Sequence, residues 1–314
     1  MSMTKKHKEY HGVVVPMVTP VKEDISLDQE AVEQICENCT RHGISLLILG
    51  TTGESPSVSR RDSKQLVKMV SAYLKGKAKT YACLTGNSVA DNIEDAKVYI
   101  DSGADVIVSI LPSYYPIRPE QMFSYYWQLA DNLEFPVMIY NIPAVTNMSI
   151  PLETVKELSK HPYILGLKDS ERDEQRILDG IQMFKHNPDF SYFVGYAALS
   201  TKALIEGADG IVPSTGNLVP SMFSSLYDHA LQGNHEDAWL LQKQTDEIAR
   251  IYQNGRSLGD SLQALKVMMS EMGLCKPYAI PPLQTCDPSS QEKIRTETRV
   301  IMQKYRLQSF GRIL

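Results

Sequence analysis

The chain has 314 residues, 43% of them hydrophobic and 22% charged, enough apolar content to bury one large core or two ordinary ones. A formal charge of −5 and a pI near 5.8 exclude the dominant basic face by which nucleic acid is bound electrostatically. No stretch approaches a membrane-spanning run, and the opening Met1-Ser-Met-Thr-Lys-Lys-His lacks an apolar signal core, so a cytoplasmic protein is expected, with neither nucleic acid nor membrane as partner.

Residues 1–11, with Lys5, Lys6 and Lys8, read as a flexible, solvated terminus. A repeating rhythm of short β-branched run, loop and amphipathic segment follows. Strands are expected at residues 12–16, 45–49, 79–83, 106–110, 137–140, 164–168, 192–194 and 210–212. Helical patterns lie between them. Residues 27–42 carry Asp28 and Glu30 in the first turn and stop at Gly43, residues 88–102 stop at Gly103, and residues 118–133 open at Pro119-Glu120.

Strands that read as continuous apolar runs, each followed by a helix, imply a parallel sheet buried on both faces. Eight such units in about 230 residues, with no Gly-x-Gly-x-x-Gly opening, predict an α/β fold of the closed (β/α)8 class, a TIM barrel, over residues 12–233. Gly-Ala-Asp recurs before two strands, at Gly103-Ala-Asp105 and Gly207-Ala-Asp209. Beyond the last strand, residues 235–253, 259–272 and 289–308 read as helices. Residues 234–314 are therefore expected to form a helical extension packed on the barrel, with Pro281-Pro282 as a rigid connection.

The five cysteines are Cys36, Cys39, Cys83, Cys275 and Cys286. Cys36 and Cys39 form a Cys-x-x-Cys, but inside a helical pattern and without a second pair at zinc spacing, so no metal or redox role is expected.

In a barrel of this kind the chemistry gathers where strands end. After the second strand, Gly50-Thr51-Thr52-Gly53-Glu54-Ser55 combines glycines, hydroxyls and backbone N–H groups in a seat sized for a carboxylate or phosphate; a plain turn would use the same residues. Pro112-Ser113-Tyr114-Tyr115-Pro116 follows the fourth strand, its tyrosines suited equally to packing and to an interface. The fifth strand ends in Tyr140-Asn141-Ile142-Pro143, and a phenol there can pass protons or simply cap the core. The sixth ends in Lys168, closing the apolar run Tyr163-Ile-Leu-Gly-Leu-Lys168 ahead of Asp169-Ser170. Such a lysine either snorkels to water or sheds its proton and attacks carbonyls. The eighth leads into Val212-Pro-Ser214-Thr-Gly-Asn217. Lysine, tyrosine and an anion seat on one rim suit imine chemistry on a 2-oxo acid.

Gly50-Thr-Thr-Gly-Glu-Ser55, Tyr140-Asn-Ile-Pro143 and Gly166-Leu-Lys-Asp-Ser170, in that order, resemble the signatures of the dihydrodipicolinate synthase / N-acetylneuraminate lyase family of class I pyruvate-dependent aldolases. The resemblance implies that Lys168 forms the Schiff base and Tyr140 relays protons. It implies that Thr51 and Thr52 bind the pyruvyl carboxylate, with Thr51 also in the relay and Gly53 in the same seat. Tyr114, with Tyr115 as the alternative, is expected to reach a neighbouring subunit's site in a homotetramer arranged as a dimer of dimers. Val212 matches a position whose backbone faces pyruvate. No cofactor or metal is implied beyond the covalent lysine imine, and the partners are pyruvate and an aldehyde.

Two departures bear on the aldehyde. Val145 stands where synthases of the family carry an arginine for the aldehyde's carboxylate, and an aliphatic side chain cannot replace a guanidinium. Arg118 is the candidate to compensate. Gly195-Tyr196-Ala197-Ala198 lacks the two acids by which the sialic acid lyases hold sugar hydroxyls. Hydroxyls of Thr146, Ser170 and Ser214 remain as expected pocket groups. Cleavage of a 2-keto-3-deoxy sugar acid or a 4-hydroxy-2-oxo acid is the favoured expectation. Condensation of pyruvate with aspartate semialdehyde is the first alternative, and a non-catalytic 2-oxo acid binding protein the second.

Overall fold

A computed structural model describes residues 8–310. Eight parallel strands hydrogen-bond in sequence order and close on themselves, β8 pairing with β1. They are β1 (Gly12–Pro16), β2 (Ser45–Ile48), β3 (Thr80–Leu84), β4 (Val106–Ile110), β5 (Val137–Asn141), β6 (Ile164–Asp169), β7 (Ser191–Val194) and β8 (Gly210–Ile211). The barrel helices are α1 (Gln29–Thr40), α2 (Arg60–Leu74), α3 (Val89–Asp101), α4 (Pro119–Leu133), α5 (Pro143–Thr146), α6 (Leu152–Leu158), α7 (Glu174–Phe184), α8 (Ser200–Glu206) and α9 (Pro220–Gln232). The C-terminal helices are α10 (His235–Gln253), α11 (Leu258–Glu271) and α12 (Pro288–Tyr305). Among the described residues no helix is long and apolar enough to cross a membrane.

Side-chain alternation along the strands sorts the core into two layers. Val14, Leu47, Tyr81, Cys83, Val106, Val108, Ile110, Met138, Tyr140, Leu165, Phe193 and Val212 fill the barrel interior. Their neighbours in sequence, such as Val13, Leu46, Ala82, Ile107 and Ile139, face the helices. In α1 the buried Ala31, Val32, Ile35, Cys36 and Cys39 form one helical stripe, so the Cys-x-x-Cys is helix packing. Its thiols are free, and burial pushes that of Cys36 up to about 12.

The repeated Gly-Ala-Asp has one physical role. Gly103 (φ 101°) and Gly207 (φ 110°) end their helices in a left-handed turn that a side chain would strain. The aspartate two residues on then accepts an N–H at the start of the preceding strand: Thr80 N donates to Asp105 at 2.7 Å, and Tyr192 N to Asp209 at 2.8 Å. Asp209 also holds Lys8, whose ammonium lies 2.8 Å away and donates to the carbonyls of Phe184 and Phe190. Lys8 is thus anchored beneath the barrel and not part of a solvated tail; Lys5 and Lys6 lie outside the described residues.

Strand β6 carries the feature that decides where the chemistry points. Val137 pairs with Ile164 but Met138 pairs with Gly166, so β6 holds one residue more than β5 at this level. Ile164 faces the helices, and strict alternation would send Lys168 the same way. The bulge resets the parity. Leu165 points inward, Leu167 outward, and Lys168 pairs with inward-facing Tyr140.

Candidate active site

Lys168 is only 3% exposed, as is Tyr140, and its Nζ lies 3.7 Å from the centre of the Tyr140 ring. Snorkelling to water is thereby excluded for this amine. The Tyr140 hydroxyl reaches Thr51 Oγ1 at 3.4 Å, a long hydrogen bond in which either oxygen can donate. Three residues drawn from the ends of β2, β5 and β6 thus meet at the barrel mouth.

A second network outside the barrel wall holds this pair in register. Asn141 and Asp169 follow Tyr140 and Lys168 directly and pair across β5 and β6. The Asn141 amide donates to Asp169 at 2.8 Å and to Glu171 at 2.9 Å, while its carbonyl oxygen accepts Ile150 N–H at 3.0 Å. Fully buried Asp169 also accepts from Arg176 Nε (2.9 Å) and the Tyr192 hydroxyl (3.0 Å). Tyr192 is pushed well up by burial and then by the Asp169 charge, so it remains a phenol and donates. Breaking a buried pair such as Asp169–Arg176 costs about 3–5 kcal/mol. Sequence reasoning passed over these residues because they point away from the mouth.

The loop after β2 is a tight turn. Gly53 N–H and Ser55 N–H return to the Gly50 carbonyl, and Glu54 N–H to the Thr51 carbonyl. Among the described residues the amides of Thr51 and Thr52 are left without such a partner. Gly53, expected in the ligand seat, is also a packing residue. Its carbonyl accepts the Thr19 hydroxyl at 2.6 Å, and an added Cβ would meet Met17 O at 3.1 Å and Leu49 N at 3.2 Å.

The expected pocket hydroxyls fare unequally. Thr146 is buried and its hydroxyl bonds to the carbonyls of Ile142 (3.2 Å) and Met148 (3.0 Å), closing the short α5 turn. Ser214 Oγ bonds to Tyr252 OH of α10 at 2.8 Å. Ser170 donates its amide to Asn141 O, and its hydroxyl lies against Gly195, where an added Cβ would come within 2.0 Å of Oγ. Val212 is buried with the barrel interior, and Val145 packs on the same cluster.

Arg118 is 77% exposed at the start of α4 and leans on Glu120 at 3.8 Å. A cation that sequence reasoning missed stands on the rim: Arg172, two residues past Ser170, holds its guanidinium 5.7 Å from the centre of the Tyr196 ring, beyond β7. Its signal was its place in the loop after the lysine-bearing strand. Tyr114 and Tyr115 are 76% and 72% exposed and meet edge to face at 4.8 Å. Asn87 fixes their loop by accepting the amides of Ser113 (2.8 Å) and Tyr114 (3.0 Å). Among the described residues no group of three or more His, Cys, Asp or Glu could hold a metal ion.

A profile of the dihydrodipicolinate synthetase family matches residues 9–301. The chain belongs to the dihydrodipicolinate synthetase family. Over 295 residues it is 32% identical to an uncharacterised DapA-like lyase of Thermococcus kodakarensis, spanning 90% of this chain and 97% of that protein. It is 27% identical over 272 residues to a 4-hydroxy-tetrahydrodipicolinate synthase of Methanothermobacter thermautotrophicus, covering 84% of this chain and 95% of the relative. Among solved structures, a dihydrodipicolinate synthase from Bacteroides thetaiotaomicron matches with a TM-score of 0.88 and 29% identity, over 94% of this chain and 99% of the other. Synthase-named and lyase-named relatives stand at similar distance. Membership in the dihydrodipicolinate synthetase family therefore places the chain among pyruvate-dependent aldolases and lyases without choosing its substrate.

Proposed function

We propose that this protein is a Schiff-base aldolase that cleaves a 4-hydroxy-2-oxo acid, 2-keto-3-deoxy sugar acids included, into pyruvate and an aldehyde. The observation that carries the reading is the burial of the Lys168 amine against the Tyr140 ring, with Thr51 within reach of the phenol. In this reading the carboxylate of the substrate rests on the amides and hydroxyls of Thr51 and Thr52, and Lys168 attacks C2. Attack places the former carbonyl oxygen beside the amine, as the hydroxyl of a carbinolamine. Because Nζ sits over the ring face, Tyr140 acts on that oxygen and not on the amine itself. It delivers the proton with which the oxygen leaves as water, and the iminium then draws electrons from the C3–C4 bond as it breaks. The proton on the 4-hydroxyl leaves as the aldehyde forms, and C3 is reprotonated before water releases pyruvate. Each such transfer contributes about 10²–10⁴ in rate.

A route for protons to solvent through Tyr114 needs a second subunit, because Tyr114 is exposed in the single chain. We place it at the neighbouring site of a homotetramer, with Tyr115 as the alternative; so large an exposed aromatic pair supports an interface.

For the aldehyde, Thr146 and Ser214 already have protein partners, which removes two hydroxyls from a polyol site. Arg172 on the rim supports an aldehyde with an acidic end. Aspartate semialdehyde condensation is the second reading, favoured by the synthase-named relatives. A pyruvate-release assay on 4-hydroxy-2-oxoglutarate and 2-keto-3-deoxygluconate, beside condensation with aspartate semialdehyde, separates these. Cleavage is expected to dominate, and Arg172→Gln to lower kcat/KM for the dicarboxylate about ten-fold or more, with little change for the sugar acid. Faster condensation than cleavage would reverse the assignment.

A further inference from the structure

Glu54 belongs to the loop of the carboxylate seat, yet the chemistry proposed above leaves it unused. Its side chain is fully buried and forms an ion pair with Lys266 of α11, which is equally hidden. Its other carboxylate oxygen accepts the N–H of Ile280 at 2.8 Å, and Lys266 also donates to the Tyr278 carbonyl at 3.0 Å. Both ends of the pair are thus bound to the C-terminal extension, through α11 and the segment between α11 and α12. The backbone of Glu54 is left-handed (φ 55°), a conformation that a residue with a side chain keeps only when its surroundings impose it. Glu54 N–H closes the turn on the Thr51 carbonyl, so whatever sets Glu54 sets Thr51 and Thr52.

The same extension reaches a second rim loop. Tyr252 of α10 bonds the hydroxyls of Ser214 (2.8 Å) and Thr215 (2.9 Å) beyond β8. A buried ion pair contributes little net stability compared with apolar packing, but it tolerates few alternative arrangements. That suits a device for placing a loop.

We propose that Glu54 and Lys266 are positioning residues through which the C-terminal helices hold the Thr51–Thr52 seat for the substrate carboxylate. This rests on the reading of that seat given above. The ammonium has an electrostatic duty as well: it cancels a carboxylate lying two residues from where the substrate's own negative charge binds.

The test is the neutral double variant Glu54→Gln/Lys266→Met, which leaves no unpaired charge in the core, with Lys266→Met beside it. Trapping by borohydride is followed across pyruvate concentrations, and amide exchange of residues 50–55 is followed without pyruvate. The double variant is expected to stay folded. Its half-trapping concentration should rise about ten-fold or more, while saturating pyruvate still gives one trapped adduct per chain. Exchange in the loop should quicken, and Lys266→Met should raise the half-trapping concentration further by leaving a bare carboxylate. A folded double variant with wild-type half-trapping and wild-type loop exchange overturns the proposal. A wild-type protein that pyruvate never modifies sinks instead the reading of the seat, since the exchange measurement does not depend on pyruvate.

Discussion

Tyr140 and Lys168 sit side by side because neighbouring strands pair them, and their chemistry follows from what surrounds each. The amine has a π face beneath it and the phenol has a threonine hydroxyl. Tyr140→Phe keeps the ring on which the amine rests and removes only the hydroxyl proposed to carry protons. Turnover should fall about 10²–10⁴-fold while thermal stability and the trapped product at Lys168 persist. Steady-state rates with a melting curve check this; near wild-type turnover would remove Tyr140 from the proton path. These residues were legible in the sequence because each closes an apolar run with a polar group that has no structural reason to be there. Glu54 and Lys266 were not. A glutamate in a polar loop and a lysine in a helix look ordinary until the fold joins α11 to the loop after β2. Thr146 and Ser214 show the converse: a hydroxyl in a rim loop reads as available, and the internal partner that each has is invisible in one dimension.

At the scale of elements, the bulge in β6 does what no single residue can. Strands buried on both faces show no alternation in sequence, so the run from Ile164 to Lys168 told where a strand lies but not which way its lysine faces. The extra residue turns Lys168 into the barrel, and Gly166 makes room for it. A Cβ there would stand 2.5 Å from the Ser191 carbonyl of β7 and 3.4 Å from Met138 Cε. Gly166→Ala should therefore push β6 and β7 apart, costing about 1–3 kcal/mol and displacing the lysine. Denaturant melts together with borohydride trapping check this. Unchanged stability and trapping would mean that the bulge is incidental to the aim of Lys168. Boundaries of the strands came out within a residue or two of their expected places. The break between α5 and α6, which runs from left-handed Asn147 to Pro151, was hidden by the assumption of one helix per crossover.

Across the whole molecule, eight repeated units were visible as rhythm, and their number, with no Gly-x-Gly-x-x-Gly opening, pointed to the closed barrel that is found. The C-terminal helices were expected to cover the barrel; their reach into two rim loops was not, because long-range hydrogen bonds such as Ile280 to Glu54 leave no periodic trace. The proposed chemistry requires that the buried amine of Lys168 bond to a keto carbon. Incubation with pyruvate, reduction with borohydride and peptide mass mapping asks this directly. A single pyruvyl adduct is expected on the peptide carrying Lys168, and none in Lys168→Ala. An adduct on a different lysine, or an unmodified protein at saturating pyruvate, would contradict that chemistry.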